Sequence, residues 1–177
     1  MSDLTKIPKQ VMIDLINTDN GSALTDALLD FGLPTAATGQ SPARNTELTV
    51  SAKVGSGYTG SVVVTYNRLG LTTDILTPSG KDATFITGDA LKIKDIIPEL
   101  NTLLNINLTD DDYVDGDLPT FVGGIPNETL DVQVVAKADS LCYIGSLTFH
   151  LKSDEIELSS VITITQLNGL TYVPPVA

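Results

Sequence analysis

Residues 60–66, Gly-Ser-Val-Val-Val-Thr-Tyr, leave this stretch little choice but a β-strand. Three adjacent valines followed by threonine and tyrosine lose side-chain freedom in a helix and pack well on a pleated surface. The run before it, ELTVSAKV (47–54), alternates Leu48, Val50, Ala52 and Val54 against Glu47, Thr49, Ser51 and Lys53, a period of two. GSGYTG (55–60) joins the two runs, so together they predict an antiparallel hairpin. Those six residues also match the dinucleotide pattern G-x-G-x-x-G. That pattern holds a pyrophosphate only where its third glycine opens a helix, whose amides face the phosphates. Here Gly60 opens a strand. Asp74 lies roughly 20 residues beyond Gly55, where a ribose-binding acid is sought, but no βαβ unit joins them. The glycines are expected to make a corner.

The corner recurs. AKVGSGYTGSVVVTY (52–66) echoes AKADSLCYIGSLTFHL (136–151) once a single residue is inserted in the second copy. Ala52, Lys53, Ser56, Tyr58, Gly60 and Ser61 then align with Ala136, Lys137, Ser140, Tyr143, Gly145 and Ser146. Val62, Val64 and Tyr66 align with Leu147, Phe149 and Leu151. Gly55 and Gly57 have no counterpart, so the retained glycine is Gly60/Gly145, as at a bulge or a close backbone approach. A hairpin used twice is the simplest account, with a helix between the copies in sequence.

That helix is predicted from Ile93, Ile96, Ile97, Leu100, Leu103 and Leu104, starting near Asp95 so that Pro98 falls in the first turn. A shorter helix opens the chain, with Leu4, Ile7, Val11 and Leu15 on one face, Thr5 as cap and Asn20-Gly21 at its end. ALTDALLDFG (23–32) is ambiguous, and 33–45 reads as an extended arm. TPSGKD (77–82) predicts a turn, ATFIT (83–87) a short strand, and TDDDYVDGDLP (109–119) a helical turn capped by Thr109. FVGGIPNE (121–128) reads as a loop. LDVQVVAK (130–137) and YIGSLTFHL (143–151) form the second hairpin, EIELSSVITITQL (155–167) alternates again, and LTYV (170–173) precedes Pro174 and Pro175.

The chemistry available to this chain is thin. Its only histidine, His150, falls on the polar face of a strand with Ser146 and Thr148. Its only cysteine, Cys142, lies eight positions away, about 25 Å along a strand and beyond proton-transfer reach. One histidine and one cysteine supply neither a triad nor a soft-metal cluster, and no intrachain disulfide forms. The acidic run Asp110, Asp111, Asp112, Asp115 and Asp117 places Gly116 where an EF-hand needs its glycine. However, Tyr113 and Val122 occupy ligand positions, so that pattern fails and only a looser calcium site stays open. The chain has no tryptophan for sugar stacking. Its net charge of −12 disfavours contact with nucleic acid or an anionic membrane. No basic n-region with an apolar core opens the sequence, and no apolar run reaches the ~20 residues that cross a bilayer. The sequons at Asn20, Asn107 and Asn127 read as chance matches.

Three longer phrases carry a resemblance: ARNTELTVSAKVGSGYTGSVVVTYNRLGL (43–71), ALKIKDIIPELNTLLNINLTDDDYVDGDLP (90–119) and AKADSLCYIGSLTFHL (136–151). Over about residues 8–152 the chain resembles a small domain of virion structural proteins from large tailed bacteriophages, present there alone or in tandem, generally without an assigned biochemical role. The motifs are structural, so the resemblance implies a building block and transfers no catalytic residue.

The expectation is therefore a single α+β, β-dominated domain over 1–177. An N-terminal helix and extended arm (1–45) precede a β-rich core (46–167) with a helix near 90–104, and a tail (168–177) follows. Two related antiparallel hairpins are expected in a sandwich or barrel-like sheet. The expected function is that of a non-enzymatic, multi-copy virion subunit, a capsid decoration or a tail component, assembled in the bacterial cytoplasm. Its partners would be other virion proteins and copies of itself, with no cofactor, metal, small-molecule substrate, nucleic acid or membrane. Loop 33–45 and the tail are the expected contact segments. The alternative is an adhesin-like module that recognises a host glycan or protein through loops 33–45 and 109–128.

Overall fold

The computed structural model describes residues 2–39, 43–86, 88–121, 128–154 and 158–166. Its first helix, α1 (Pro8–Asn20), starts at a proline whose missing N–H is no loss there, and buries Val11, Met12 and Ile13. It stops at Gly21, which takes the left-handed conformation at φ 61°. Thr5 is not its cap. The residue before the helix is Ile7, without a side-chain cap, while the Thr5 hydroxyl bonds Asp3.

Beyond α1 the chain is tied back by one side chain. Asn17 accepts the Leu24 amide at 2.7 Å and donates to the Leu24 carbonyl at 2.8 Å, an amide paired both ways with one backbone residue. A turn closed by Leu28 N–H to Thr25 C=O leads into β1 (Leu29–Phe31), resolving the ambiguous segment as a strand. β1 and the two-residue β2 (Thr35–Ala36) lie one after the other along the same edge of β3 (Thr46–Ala52). The expected arm is thus partly sheet; residues 40–42 lie outside those described. β4 (Ser61–Tyr66) pairs antiparallel along the other edge of β3, with Val50 opposite Val62. Leu48, Val50 and Tyr66 are buried as the alternation predicts, but Val62 is exposed.

The second half repeats this path. Helix α3 (Ile93–Leu104) buries Ile93, Ile96, Ile97, Leu100 and Leu104. It begins two residues earlier than expected and holds Pro98 inside, because Asp95 acts from the third position, accepting the amides of Leu91 and Lys92. Asn101 accepts the Leu108 amide at 2.8 Å and donates to its carbonyl at 3.0 Å, as Asn17 does with Leu24. Asn105 takes the left-handed place of Gly21. Thr102 bonds the Pro98 carbonyl as Thr18 bonds that of Asp14. A bridge between Tyr113 and Ala136 stands where β1 pairs Leu29 with Ala52. β7 (Thr129–Val135) and β9 (Ser146–Lys152) then form the second hairpin. The duplication is wider than the hairpins: helix, asparagine tie, Leu-Thr-Asp turn and hairpin are all present twice. α3 is the second copy's counterpart of α1, not a unique central helix.

The corners match bond for bond. Ala52 N–H reaches Gly60 C=O at 3.0 Å, and Ala136 N–H reaches Gly145 C=O at 2.8 Å. Ser56 and Ser140 amides close on Lys53 and Lys137 carbonyls. Gly60 and Gly145 both have positive φ, 86° and 74°, and a methyl group there would meet nothing within 4 Å. The glycine serves backbone handedness and not the close approach the sequence suggested.

The connection between copies holds β5 (Leu69–Gly70), a π-helical segment (Leu71–Leu76), the short α2 (Thr77–Ser79) and β6 (Thr84–Ile86). The predicted turn at 77–82 is therefore partly helical, ending at Gly80 in the left-handed region. β5 runs parallel to β8 (Tyr143–Ile144), and β6 runs parallel to β9 on the edge opposite β7. The fold is α+β: among the described residues the strands form three separate sheets, none closed into a barrel, and one hydrophobic cluster runs through both copies. Of the strand expected over 155–167, residues Leu158–Val161 instead form one helical turn, α4. Residues 155–157, the end of that segment and LTYV (170–173) lie outside the described residues, as does most of the loop 121–128.

The asparagine ties generate a direct test. Asn17→Ala and Asn101→Ala each remove two hydrogen bonds to one backbone residue, the partly buried Leu24 and the buried Leu108, and Asn17→Ala also removes the bond from the Ser22 hydroxyl, so each is expected to cost about 1–3 kcal/mol in urea unfolding. The two losses should add, because the sites share no partner.

Candidate functional site

The glycine corner offers no phosphate cradle. Gly55, Gly57 and Gly60 all have positive φ, and the chain leaves Gly60 as strand β4, with no helix amides to face an anion. Asp74 accepts the Gly70 amide at 2.7 Å within the π-helical segment, a local closure.

His150 stands directly across from Asp131 on β7, with Nδ1 2.7 Å from Oδ1, and both side chains face solvent. Cys142 is buried at 5% exposure, its Sγ 3.5 Å from the Pro8 carbonyl oxygen. Burial, reinforced by nearby Asp112, pushes the Cys142 thiol up to about 12. A thiol so held is not a nucleophile near neutral pH.

The acidic run is dispersed into separate structural tasks. Asp112, 2% exposed, accepts the Thr109 amide and hydroxyl on one oxygen and the Ser140 hydroxyl on the other. Thr109 thus donates to Asp112 and does not cap a helix. Asp110 accepts the Tyr113 hydroxyl, Asp115 the Lys94 amide, and Asp117 pairs with Lys92 at 3.0 Å. Among the described residues no three His, Cys, Asp or Glu side chains gather as metal ligands.

The phrases that sequence reading singled out meet instead at the seam between copies. Asn45 Oδ1 accepts from the Thr46 hydroxyl and the Arg68 amide, and the Asn45 amide N–H bonds Asn67. Arg68 then reaches across to the carbonyls of Ala138 and Ser140, and the Tyr66 hydroxyl to that of Leu141 at 2.7 Å. These residues hold the end of copy 1 onto the corner of copy 2. Tyr143 at that corner is completely buried.

The equivalent corner of copy 1 is bare. Val54, Tyr58, Val62 and Val63 are exposed at 106%, 56%, 58% and 58%. A groove of about 500 Å³ lies beside them, floored by Ile16, Leu24, Val50, Val62 and Val64. Sequence reading placed Val62 and Val64 on a buried face; the structure leaves that face open at the outer edge of β4. Hairpin alternation identifies which side chains share a face but not whether anything covers it. This apolar edge is the candidate interaction site. The expected contact loops contribute little to it: β2 within 33–45 packs on β3, and 109–119 is bonded into copy 2.

In comparison with known proteins, the chain matches the model of a family of unknown function (DUF7941) over residues 1–176, and it belongs to that family. No curated protein and no solved structure gives a match.

The buried thiol is checkable. At pH 8 a disulfide reagent should leave Cys142 unmodified in the folded chain and react at once in denaturant, where the thiol returns to about 8.5. Between about pH 8.5 and 9.5 the unfolded chain loses this proton and the folded chain keeps it. The contribution is therefore intact below 8.5 and declines above, and the urea midpoint should fall across that window, more so than in Cys142→Ala.

Proposed function

We propose that the protein is a non-enzymatic structural subunit of a tailed-bacteriophage virion, present in many copies and acting through protein–protein contacts as a capsid decoration or tail component. The observation that carries the assembly role is the bare corner at Tyr58 and Val62, exposed at 56% and 58% beside an apolar groove, where the equivalent Tyr143 and Leu147 are buried. An open apolar surface of this kind marks an interaction site. The groups with chemical potential are spent on structure: Cys142 is buried, Asp112 is saturated, and His150 is tied to Asp131. The virion setting rests on the resemblance of the interlocking phrases around Asn45, Arg68 and Thr109.

In this reading the sheets of the two copies present sandwich-like surfaces to neighbouring subunits. The partners are other virion proteins and copies of the chain, and the protein reaches the particle from the host cytoplasm. The charge of −12 keeps free subunits dispersed before assembly and sets the surface away from packaged nucleic acid.

Mass spectrometry of gradient-purified particles should find the chain in multiple copies per virion, and antibody labelling should decorate capsid or tail at regular intervals. Its recovery only in the soluble fraction of infected cells would sink the proposal. Binding of the isolated chain to uninfected host cells would favour the adhesin alternative.

A further inference from the structure

The end of copy 1 and the corner of copy 2 form a contact whose two halves each have a counterpart elsewhere in the chain. In the used contact, β5 pairs with β8 behind the corner and Thr72 bonds the Ser146 carbonyl. Leu71 and Ile75 of the π-helical segment sink into the core at 0% and 7% exposure. β6 then lies along β9, with Phe85 opposite Leu151. The Phe85 ring meets Phe149 edge-on, with centroids 5.8 Å apart. β9 is thereby paired on both edges, and Leu147, Phe149 and Leu151 are buried.

β4 is the counterpart of β9, and among the described residues it pairs only with β3. Tyr58, the counterpart of buried Tyr143, is 56% exposed, and Val62, the counterpart of Leu147, is 58% exposed. A second groove of about 240 Å³ separates β4 from α1, between Leu15, Ile16 and Asn20 on one side and Val64, Thr65 and Tyr66 on the other. It occupies the place in copy 1 that Phe85 fills beside α3 in copy 2.

The complementary half follows β9. Leu158, Val161, Ile162 and Ile164 are all exposed, in the sequence position that the π-helical segment holds after β4. Further on, Leu170-Thr171-Tyr172-Val173 repeats the order of Ala83-Thr84-Phe85-Ile86: an apolar residue, threonine, an aromatic and a β-branched residue.

We propose that the chain assembles head to tail by strand addition. Residues 158–173 of one copy cover the Tyr58 corner of a second copy, and Leu170–Val173 add in parallel to its β4. The register follows from β6 on β9: Thr171 opposite Thr65 and Tyr172 opposite Tyr66, with the Tyr172 ring entering the groove against α1. Backbone pairing along an open edge with one aromatic anchor is the physics of strand addition.

The occupant is a second copy and not the chain's own tail. The contact inside the chain is heterologous, an end on a corner, and a contact of that kind runs from molecule to molecule unless it closes on itself. Closure within one chain would set Leu158, Val161 and Ile162 against Tyr58, and all four are exposed here. The proposal goes beyond the virion reading and does not need it. Association of the purified chain is tested without any particle, so either reading can fail alone.

Sedimentation of the purified full chain over a range of concentrations should show species growing past dimer. Tyr172→Asp and Val62→Asp should each give monomers with unchanged circular dichroism and urea midpoint. Mixed together they should form a dimer and nothing larger, because one retains the acceptor edge and the other the donor segment. A chain monomeric at every concentration, or assembly that survives both substitutions, overturns the proposal. So does a mixture that stays monomeric. Protease protection of the tail in a strictly monomeric chain would show closure within one molecule and would overturn it equally.

Discussion

An asparagine bonded both ways to a leucine backbone is the tie on which each copy depends. Asn17 on Leu24 and Asn101 on Leu108 convert the end of a helix into the start of a turn. The turn then presents two carbonyls to the lysine at the hairpin corner. Lys53 gives its amide to Leu28 and its ammonium to Asp26; Lys137 gives its amide to Asp112 and its ammonium to Asp110. Helix, turn and corner are thus connected by directional bonds before any apolar packing is counted. Such a chain fixes the approach of the helix to the sheet, which burial alone leaves free.

The copies diverge where the seam runs. Copy 1 has Leu28 where copy 2 has Asp112, and only the second holds a buried carboxylate, fastened to Ser140 and Thr109. Leaving such a group unpaired would cost several kcal/mol in the interior, on the order of a whole lost side chain. Its three donors offset that cost and brace the corner that receives Tyr66 and Arg68. Copy 1's corner receives nothing among the described residues and has no counterpart carboxylate. The difference between copies follows which corner is loaded.

Much of this was legible in the sequence, for particular reasons. Period two and β-branching marked both hairpins, and the strand after Gly60 ruled out the phosphate loop. The wider duplication was missed because its constant residues are few and scattered: Asn17-Thr18 with Asn101-Thr102, and Leu24-Thr25-Asp26 with Leu108-Thr109-Asp110. Polar ties of that kind carry no periodicity. Leu71–Leu76 was not foreseen as helical, since Thr72 and Thr73 are weak helix formers and tertiary packing of Leu71 and Ile75 decides there. At 158–161 the alternation pointed to a strand, yet a strand needs a partner edge, and among the described residues none pairs with this segment, which closes a helical turn instead. Coverage of a face is likewise a property of neighbours, which is why Val62 was expected inside.

An open strand edge is ordinarily guarded by lysine, proline or a bulge against pairing with other chains. β4 reads Ser-Val-Val-Val-Thr-Tyr and carries none of these devices. What remains to oppose association is the overall charge of −12, and that repulsion is long-ranged and screened over about 8 Å at physiological ionic strength. Repulsion of this type slows encounter between dispersed subunits but yields once a specific edge and its complement are in contact. Backbone hydrogen bonds and a buried ring act at 3–4 Å, and at that range they are opposed only by charges close to the contact, since charges more than a Debye length away are largely screened. Under the proposed strand addition two controls are separated that most edge strands combine: distance is governed by charge spread over the whole surface, and pairing by the shape of one groove.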